Sequence, residues 1–181
     1  GTSVDYMWGK STNQVSVIET DARIPMKHAL SQFVVRLKVS PEYHNDGNLT
    51  SAKLKATGAK FATTGTMNLN DGGKITFQPT STELTWSPNT TVPAQGQQAV
   101  DYAAAIYPMT LAAGEVSLEV VIDGATYTYA IPQITWEAGK RYIYSITMRS
   151  NDAEIGGENG QSVTIEGWTS TEEDITLVPV K

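Results

Sequence analysis

The sequence predicts an all-β protein that folds as a two-sheet antiparallel β-sandwich of about ten short strands. Two observations lead to this prediction. Threonine outnumbers leucine 23 to 9, and Val, Ile and Tyr are frequent, which is typical of strands rather than helices. Apolar and polar residues alternate in short segments separated by Pro, Gly and Asn, whereas no stretch keeps a helical period for more than two turns. Short strands with regular turns favour two facing sheets.

The clearest element is a β-hairpin in the segment VSLEVVIDGATYTYAI, residues 116–131. Asp123 and Gly124 can both adopt the positive φ that a type I′ turn requires. Pairing outward from this turn brings apolar residues opposite each other on one face: Val116 with Ile131, Leu118 with Tyr129, Val120 with Tyr127 and Ile122 with Ala125. The other face carries Ser, Glu and Thr, so we expect one face on a core and one in water.

Two further segments alternate with the same period of two, QFVVRLKV and RYIYSITM. Their predicted inward residues are Phe33, Val35, Leu37, Val39, Tyr142, Tyr144, Ile146 and Met148. Weaker patterns predict strands at VSVIE, AKLKA, KITF, ELTW, VDYAAAIY, SVTIEGW and DITLV. By the same parity, Trp86 and Trp136 belong to the core.

A change of phase separates Met26, His28 and Leu30 from the inward residues that begin at Phe33. Since side chains in a strand alternate strictly, the chain must bulge or bend near residues 31 and 32. Such a bend would either carry the chain from one sheet to the other or mark an edge where the strand pairing changes.

The chain length of 181 residues favours one domain. We expect residues 1–22 to form an N-terminal linker with a first strand, and residues 23–181 to form a single β-sandwich domain. Residues 87–98 and 149–161 are irregular in sequence, and each is either a recognition loop or an ordinary mobile connection.

Composition and charge argue against several functions. A net charge of −6 disfavours binding to nucleic acid, which needs clustered Lys and Arg. The absence of cysteine excludes disulfides, thiolate nucleophiles and Cys-ligated metals. No apolar run approaches the roughly 18 residues of a membrane helix, and the first ten residues do not form a signal peptide.

No residue pattern indicates catalysis, a metal or a cofactor. His28 and His44 are the only histidines, and neither has metal-binding spacing. We expect His28 to be partly buried and hydrogen-bonded, and His44 to be solvated. Trp8 and Trp168 are the candidate exposed aromatic residues, because Trp168 shares parity with polar neighbours and Trp8 lies near the N-terminus. Trp8 could instead pack on the sandwich. If both rings are open, they could form a platform for sugars.

The chain contains the stretches PMKHALSQFVVRLKV, WEAGKRYIYSITM and VTIEGWTSTEED, in this order. In content and order they resemble three stretches of the fimbrillin-like family of Bacteroidota, the subunits and anchor proteins of type V pili. PMKHALSQFVVRLKV resembles the family's His-Ala-Leu-Ser strand opening, WEAGKRYIYSITM its Ala-Gly-Lys-x-Tyr-x-Tyr strand, and VTIEGWTSTEED its closing Trp segment. VDYMWGK resembles the segment that joins the two domains of that family. The resemblance covers nearly the whole chain.

The resemblance implies a non-enzymatic subunit with a transthyretin-like, Greek-key type of sandwich. It also implies export to the cell surface and outer membrane, and assembly with other fimbrial subunits by strand exchange after proteolysis. Family members carry a lipid anchor on a cysteine that this sequence lacks, so we expect a C-terminal domain or a processed fragment. A host protein or glycan remains a further partner to consider, and a surface glycan-binding sandwich is the alternative function.

The C-terminal segment 174–181 is the candidate donor strand. Ile175 and Leu177 would point to one side and Val178 to the other, and Pro179 would confine the segment to an edge. DITLV could equally be the last strand of its own sheet. The bond between Arg23 and Ile24 is one candidate site for an Arg-specific protease.

Overall fold

The computed structural model describes residues 4–12, 23–41, 43–45, 47–86, 90–91, 100–148, 153–155 and 164–167. In chain order, the strands are β1 (Met7–Gly9), β2 (Met26–His28), β3 (Ser31–Val39), β4 (Asn48–Ala56), β5 (Gly65–Asn68), β6 (Lys74–Phe77), β7 (Glu83–Trp86), β8 (Thr90–Thr91), β9 (Val100–Ile106), β10 (Met109–Leu111), β11 (Val116–Ile122), β12 (Ala125–Ala130), β13 (Ile134–Trp136), β14 (Lys140–Met148), β15 (Ala153–Ile155) and β16 (Thr164–Gly167). Within these residues the one helical element is a 3₁₀ turn, Leu69–Asp71.

The first five-stranded sheet, called sheet I, is built on the predicted hairpin. Its order is β12-β11-β4-β7, and β8 also pairs with β4. Asp123 and Gly124 have φ values of 49° and 80°, as a type I′ turn requires. Ile122 pairs with Ala125, and Leu118 with Tyr129, so the predicted register is confirmed.

The second five-stranded sheet, called sheet II, has the order β15-β14-β3-β9, and β16 also pairs with β14. One pair departs from the predicted antiparallel arrangement, because β3 and β14 run parallel from Gln32 opposite Arg141 to Val39 opposite Met148. About a hundred residues separate these two strands, including all of β4 to β13. A connection of that length can return the chain in either direction, whereas a tight turn can join only antiparallel strands.

Three two-stranded ribbons complete the described fold: β1 with β2, β5 with β6, and β10 with β13. The chain bends at Ala29 and Leu30 between β2 and β3. The bend carries the chain from the β1-β2 ribbon into sheet II. Because the strand starts again in a different sheet, the parity of its buried side chains changes at this point.

The two five-stranded sheets share one hydrophobic core, so the β-sandwich is confirmed. Phe33 on β3 stacks on Tyr144 of β14 with 4.6 Å between ring centroids, and meets Trp86 of β7 edge-on at 5.8 Å. Trp136 also lies edge-on to Phe33 at 5.7 Å. The buried core includes seven of the eight residues predicted to face inward from β3 and β14, and Val39 is partly buried against it.

The outer face of sheet II is less polar than predicted. Val34 and Ile143 are register partners on that face, and each is at most 1% exposed. Arg36 and Asp101 lie on the same face and form a two-point ion pair, with N···O distances of 2.6 and 2.7 Å. Alternation alone therefore did not predict the burial of the two apolar side chains.

Several predicted elements lie outside the described residues, in whole or in part. They include the strands at VSVIE and DITLV and most of both irregular segments. Where those segments are described, they contain the short strands β8 and β15.

Candidate functional site

The N-terminal segment, residues 4–9, is held against β2 by backbone and side-chain contacts. Met7 pairs with His28, and the amide of Ala29 donates a hydrogen bond of 2.8 Å to the carbonyl of Tyr6. The Nδ1 atom of His28 lies 2.9 and 3.0 Å from the two carboxylate oxygens of Asp5. His28 is 8% exposed, so it is a buried, hydrogen-bonded histidine as the sequence predicted.

Trp8 packs against the turn between β5 and β6. Its indole ring lies so close to Gly73 that a Cβ atom at this position would overlap with the ring, and Gly73 has a φ of 73°. Glycine therefore satisfies both the backbone conformation and the close approach. The ammonium group of Lys27 lies 5.7 Å from the Trp8 ring centroid, within cation–π range. Trp8 thus ties β1 to the β5-β6 ribbon and stays partly exposed.

A cleft opens beside this segment and consists of two adjoining cavities of about 200 and 320 Å³. Tyr6, Thr63 and Tyr107 line both cavities. The other lining residues are Val4, Leu30, Phe61, Ala62, Thr64, Gly65, Thr66, Met67, Ile75, Leu84, Ala105 and Ile106. Every described residue that lines the cleft is thus uncharged.

Two of the three exposed large apolar side chains among the described residues line this cleft. Val4 and Tyr6 are 59% and 51% exposed, which is high for side chains of this size. Tyr107 stacks on Phe77 with 4.4 Å between ring centroids. Burial, and to a lesser extent the neighbouring Tyr6, raises the pKa of the Tyr107 hydroxyl. The cleft therefore offers aromatic rings and threonine hydroxyls around an uncharged space.

The sheet edges form a second kind of candidate surface. Within the described residues, β12 pairs only with β11, and β9 pairs only with β3. Outer strands present main-chain donors and acceptors on the side away from their partner, and such groups can pair with another chain.

The candidate residues from the sequence have different outcomes. Trp8 lies beside the cleft, at the β5-β6 turn. Trp168, Ile175, Leu177 and Val178 lie outside the described residues, and His44 is exposed at the surface. Sequence reasoning missed Tyr6, Thr63 and Tyr107 as neighbours, because they come from three distant segments. The only sequence signal was the apolar pair of Tyr6 and Trp8 near the N-terminus.

Two structural features are absent from the described residues. Within those residues, no helix is long and apolar enough to span a bilayer. No group of three or more His, Asp or Glu side chains in that part of the chain is arranged to hold a metal ion.

The two packed sheets define this chain as a β-sandwich protein. Comparisons with known proteins identify its family. The model of the fimbrillin-like family matches residues 2–168. The chain therefore belongs to the fimbrillin-like family, and the resemblance found in the sequence is confirmed. No curated protein matches the chain.

Two solved structures share the fold. One is a protein from Bacteroides ovatus ATCC 8483 named for a proposed role in cell adhesion, with a TM-score of 0.54 and 18% identity over 94% of this chain and 62% of that chain. The other is a protein from Bacteroides uniformis ATCC 8492 with the same description, with a TM-score of 0.55 and 16% identity over 91% of this chain and 66% of that chain. The chain thus spans slightly less than two thirds of each of these structures.

Proposed function

We propose that this chain is a non-enzymatic structural subunit of a bacterial cell-surface fimbria, with other fimbrial subunits as its partners. The observation that carries this proposal is the fimbrillin-like family match over residues 2–168. Its likeness to two structures named for a proposed role in cell adhesion is consistent with the same role.

We further propose that subunits join by β-strand addition at the cleft beside Tyr6 and Tyr107. Five consecutive residues, 63–67, border its larger cavity. Successive side chains of a strand point to opposite sides, so side chains alone would bring only every second residue to the cavity. Because five consecutive residues border it, their main-chain groups also face the cavity. A strand from a neighbouring subunit could pair with those groups and insert alternate apolar side chains into the uncharged space.

The proposed donor is the segment 174–181, with Ile175 and Leu177 on one side and Val178 on the other. The two-residue spacing of Ile175 and Leu177 suits insertion, because side chains two residues apart along a strand point to the same face and can fill neighbouring pockets. The competing assignment keeps DITLV in its own sheet, and in that case the deletion described below would also lower the free energy of unfolding of the isolated subunit.

The N-terminal segment is proposed to form one wall of the cleft until a protease releases it. Val4 and Tyr6 line the cleft, and Arg23 is exposed between β1 and β2. Cleavage after Arg23 would leave β1 attached only by non-covalent contacts, including those of Trp8 and Asp5. This cut falls one residue after the proposed boundary between the linker, residues 1–22, and the sandwich domain, residues 23–181.

The test is light scattering with electron microscopy, before and after treatment with an Arg-specific protease at matched protein concentration. We expect filaments only after cleavage. Arg23→Lys is the matched control, because it keeps the charge but removes the cleavage site while leaving the other arginines intact. Deletion of residues 174–181 should also prevent filaments. A chain cut completely after Arg23 that stays monomeric would contradict the proposal.

The glycan-binding alternative has less support from the described residues. The Trp8 ring lies against the turn at Gly73 and near the Lys27 ammonium group, so less of its surface is open for a sugar ring. A glycan array comparing the full chain with Trp8→Ala tests it. Loss of a specific glycan signal in the variant would favour the alternative.

A further inference from the structure

Within the described part of the chain, β12 is an outer strand, and it lacks the features that usually protect one. Its sequence, ATYTYA, has no charged residue and no proline, and Thr126, Thr128 and Ala130 are exposed. Natural outer strands generally carry charges, prolines or bulges that prevent pairing with another chain. In contrast, the outer strands β7, β9, β15 and β16 each carry an acidic residue, and β8 consists of only two threonines.

The register of the hairpin shows which main-chain groups of β12 point away from sheet I. In a two-residue turn, the closing pair, Ile122 and Ala125, exchanges hydrogen bonds, and every second pair does the same. At the far end of the hairpin, the amide of Ile131 donates to the carbonyl of Val116 at 2.9 Å, as this alternation requires. The outward groups are therefore those of Thr126, Thr128 and Ala130.

The sequence of β12 is nearly the same in both directions, so it is complementary to itself. If two copies meet antiparallel about a two-fold axis at Thr128, the three residues with outward groups pair with one another. Thr128 faces Thr128 and Thr126 faces Ala130, while Tyr127 faces Tyr129 on the core side. Thr–Thr and aromatic pairs stabilise antiparallel strands, and no like charges oppose each other.

We propose that β12 is a homotypic interface, at which two copies of this chain pair antiparallel about Thr128. The two copies of sheet I then become one continuous sheet. No residue of β12 lines the cleft, and the proposed pairing requires neither proteolysis nor a donor strand. A contact of five strand residues per copy, 126–130, is smaller than most stable interfaces, so each pair is weak and gains strength where many copies are arrayed.

A cysteine placed at the axis tests the register, because the chain has no cysteine of its own. Two Thr128→Cys copies would have Cα atoms about 5.5 Å apart, within the range that a disulfide spans. We expect mild oxidation of the uncleaved full chain to give a covalent dimer that a reductant reverses. The same dimer should form in the chain that lacks residues 174–181.

Thr126→Cys is the matched control on the same exposed side of the same strand. Its counterpart in the other copy would lie four residues along, about 14 Å away at the usual rise per residue. Alone, Thr126→Cys should therefore cross-link at least tenfold more slowly than Thr128→Cys. Mixed with Ala130→Cys, it should cross-link rapidly. Equal rates for the two single variants, or no dimer from either, would overturn the proposal.

A non-covalent measurement completes the test. Thr128→Lys would place two ammonium groups opposite each other at the axis, so the dimer dissociation constant in sedimentation velocity should rise at least tenfold. Asn70→Lys makes the same charge change at an exposed turn and should leave dimerisation unchanged. Circular dichroism checks that both variants fold. A Thr128→Lys variant that dimerises like the parent chain would refute the interface.

Discussion

The hydroxyl group of Tyr43 donates a hydrogen bond to the carboxylate of Asp123, eighty residues further along the chain. The same carboxylate accepts hydrogen bonds from the amides of Gly47 and Asn48, at 3.0 and 2.9 Å. Asp123 is also the first residue of the type I′ turn. One side chain thus joins the loop before β4 to the tip of the β11-β12 hairpin.

This relationship predicts a loss of stability at alkaline pH. Burial and the hydrogen bond to Asp123 raise the pKa of Tyr43 to about 12. Because the fold favours the neutral phenol, its contribution is complete below the ordinary pKa of about 10 and is lost as the pH rises towards 12. Tyr43→Phe should unfold more easily at pH 7, by about 1–2 kcal/mol.

Urea unfolding at several pH values checks this prediction. The decline in unfolding free energy between pH 10 and 12 should be shallower in Tyr43→Phe than in the parent chain. Burial also raises the pKa of Tyr144, so some decline should remain. If the unfolding free energies of the two proteins decline in parallel with pH, ionisation of Tyr43 does not cause the decline.

Asp101 should make the fold sensitive to acid. Its hydrogen bond with Arg36 holds the pKa of the carboxyl group below the ordinary value. A lowered pKa means that the stabilisation is present above the ordinary pKa of about 3.9 and is lost as the pH falls through the lowered value. Asp101→Asn should cost about 0.2–1 kcal/mol at pH 7, as for partly exposed ion pairs.

Thermal melts between pH 7 and pH 2 measure this effect. The difference between Asp101→Asn and the parent chain should shrink as the pH falls below 4. If the difference stays constant down to pH 2, ionisation of Asp101 does not contribute to stability.

The contact between Trp8 and Gly73 should make this glycine intolerant of substitution. Gly73→Ala adds a Cβ atom that overlaps with the indole ring, at a backbone φ of 73° that alanine adopts poorly. We expect a loss of about 1–3 kcal/mol in unfolding free energy. Gly58→Ala is the control, since no atom lies within 4 Å of its added Cβ.

A double-mutant cycle with Trp8→Ala separates the two causes. Removing the ring should recover the part of the loss that comes from overlap and leave the part that comes from the backbone. If Gly73→Ala costs the same with and without Trp8, the ring contact does not contribute.

Phe33 should be among the most sensitive core positions. Its ring contacts Tyr144, Trp86 and Trp136, so Phe33→Ala would open a cavity where the two sheets meet. We expect a loss of about 3–5 kcal/mol, measured by urea unfolding. Leu69→Ala, at a side chain that is 61% exposed, should change the free energy by less than about 0.5 kcal/mol. Equal losses would contradict the proposed core.

The local features of this protein were predictable from its sequence. Turn chemistry at Asp123 and Gly124 determined both the hairpin and its register, because those two residues accept positive φ and strand side chains alternate strictly. The alternation in β3 and β14 likewise identified the inward residues, because only one parity is apolar throughout. The family resemblance also came from such local motifs.

Tertiary structure alone decided how distant segments meet. The parallel pairing of β3 with β14 joins segments about a hundred residues apart, and no turn residue encodes its direction. The meeting of Tyr6, Thr63 and Tyr107 at the cleft, and of Trp8 with Gly73, arises only after the sheets pack. Local periodicity reports which side of a strand is buried, whereas the identity of the neighbours depends on the path of the whole chain.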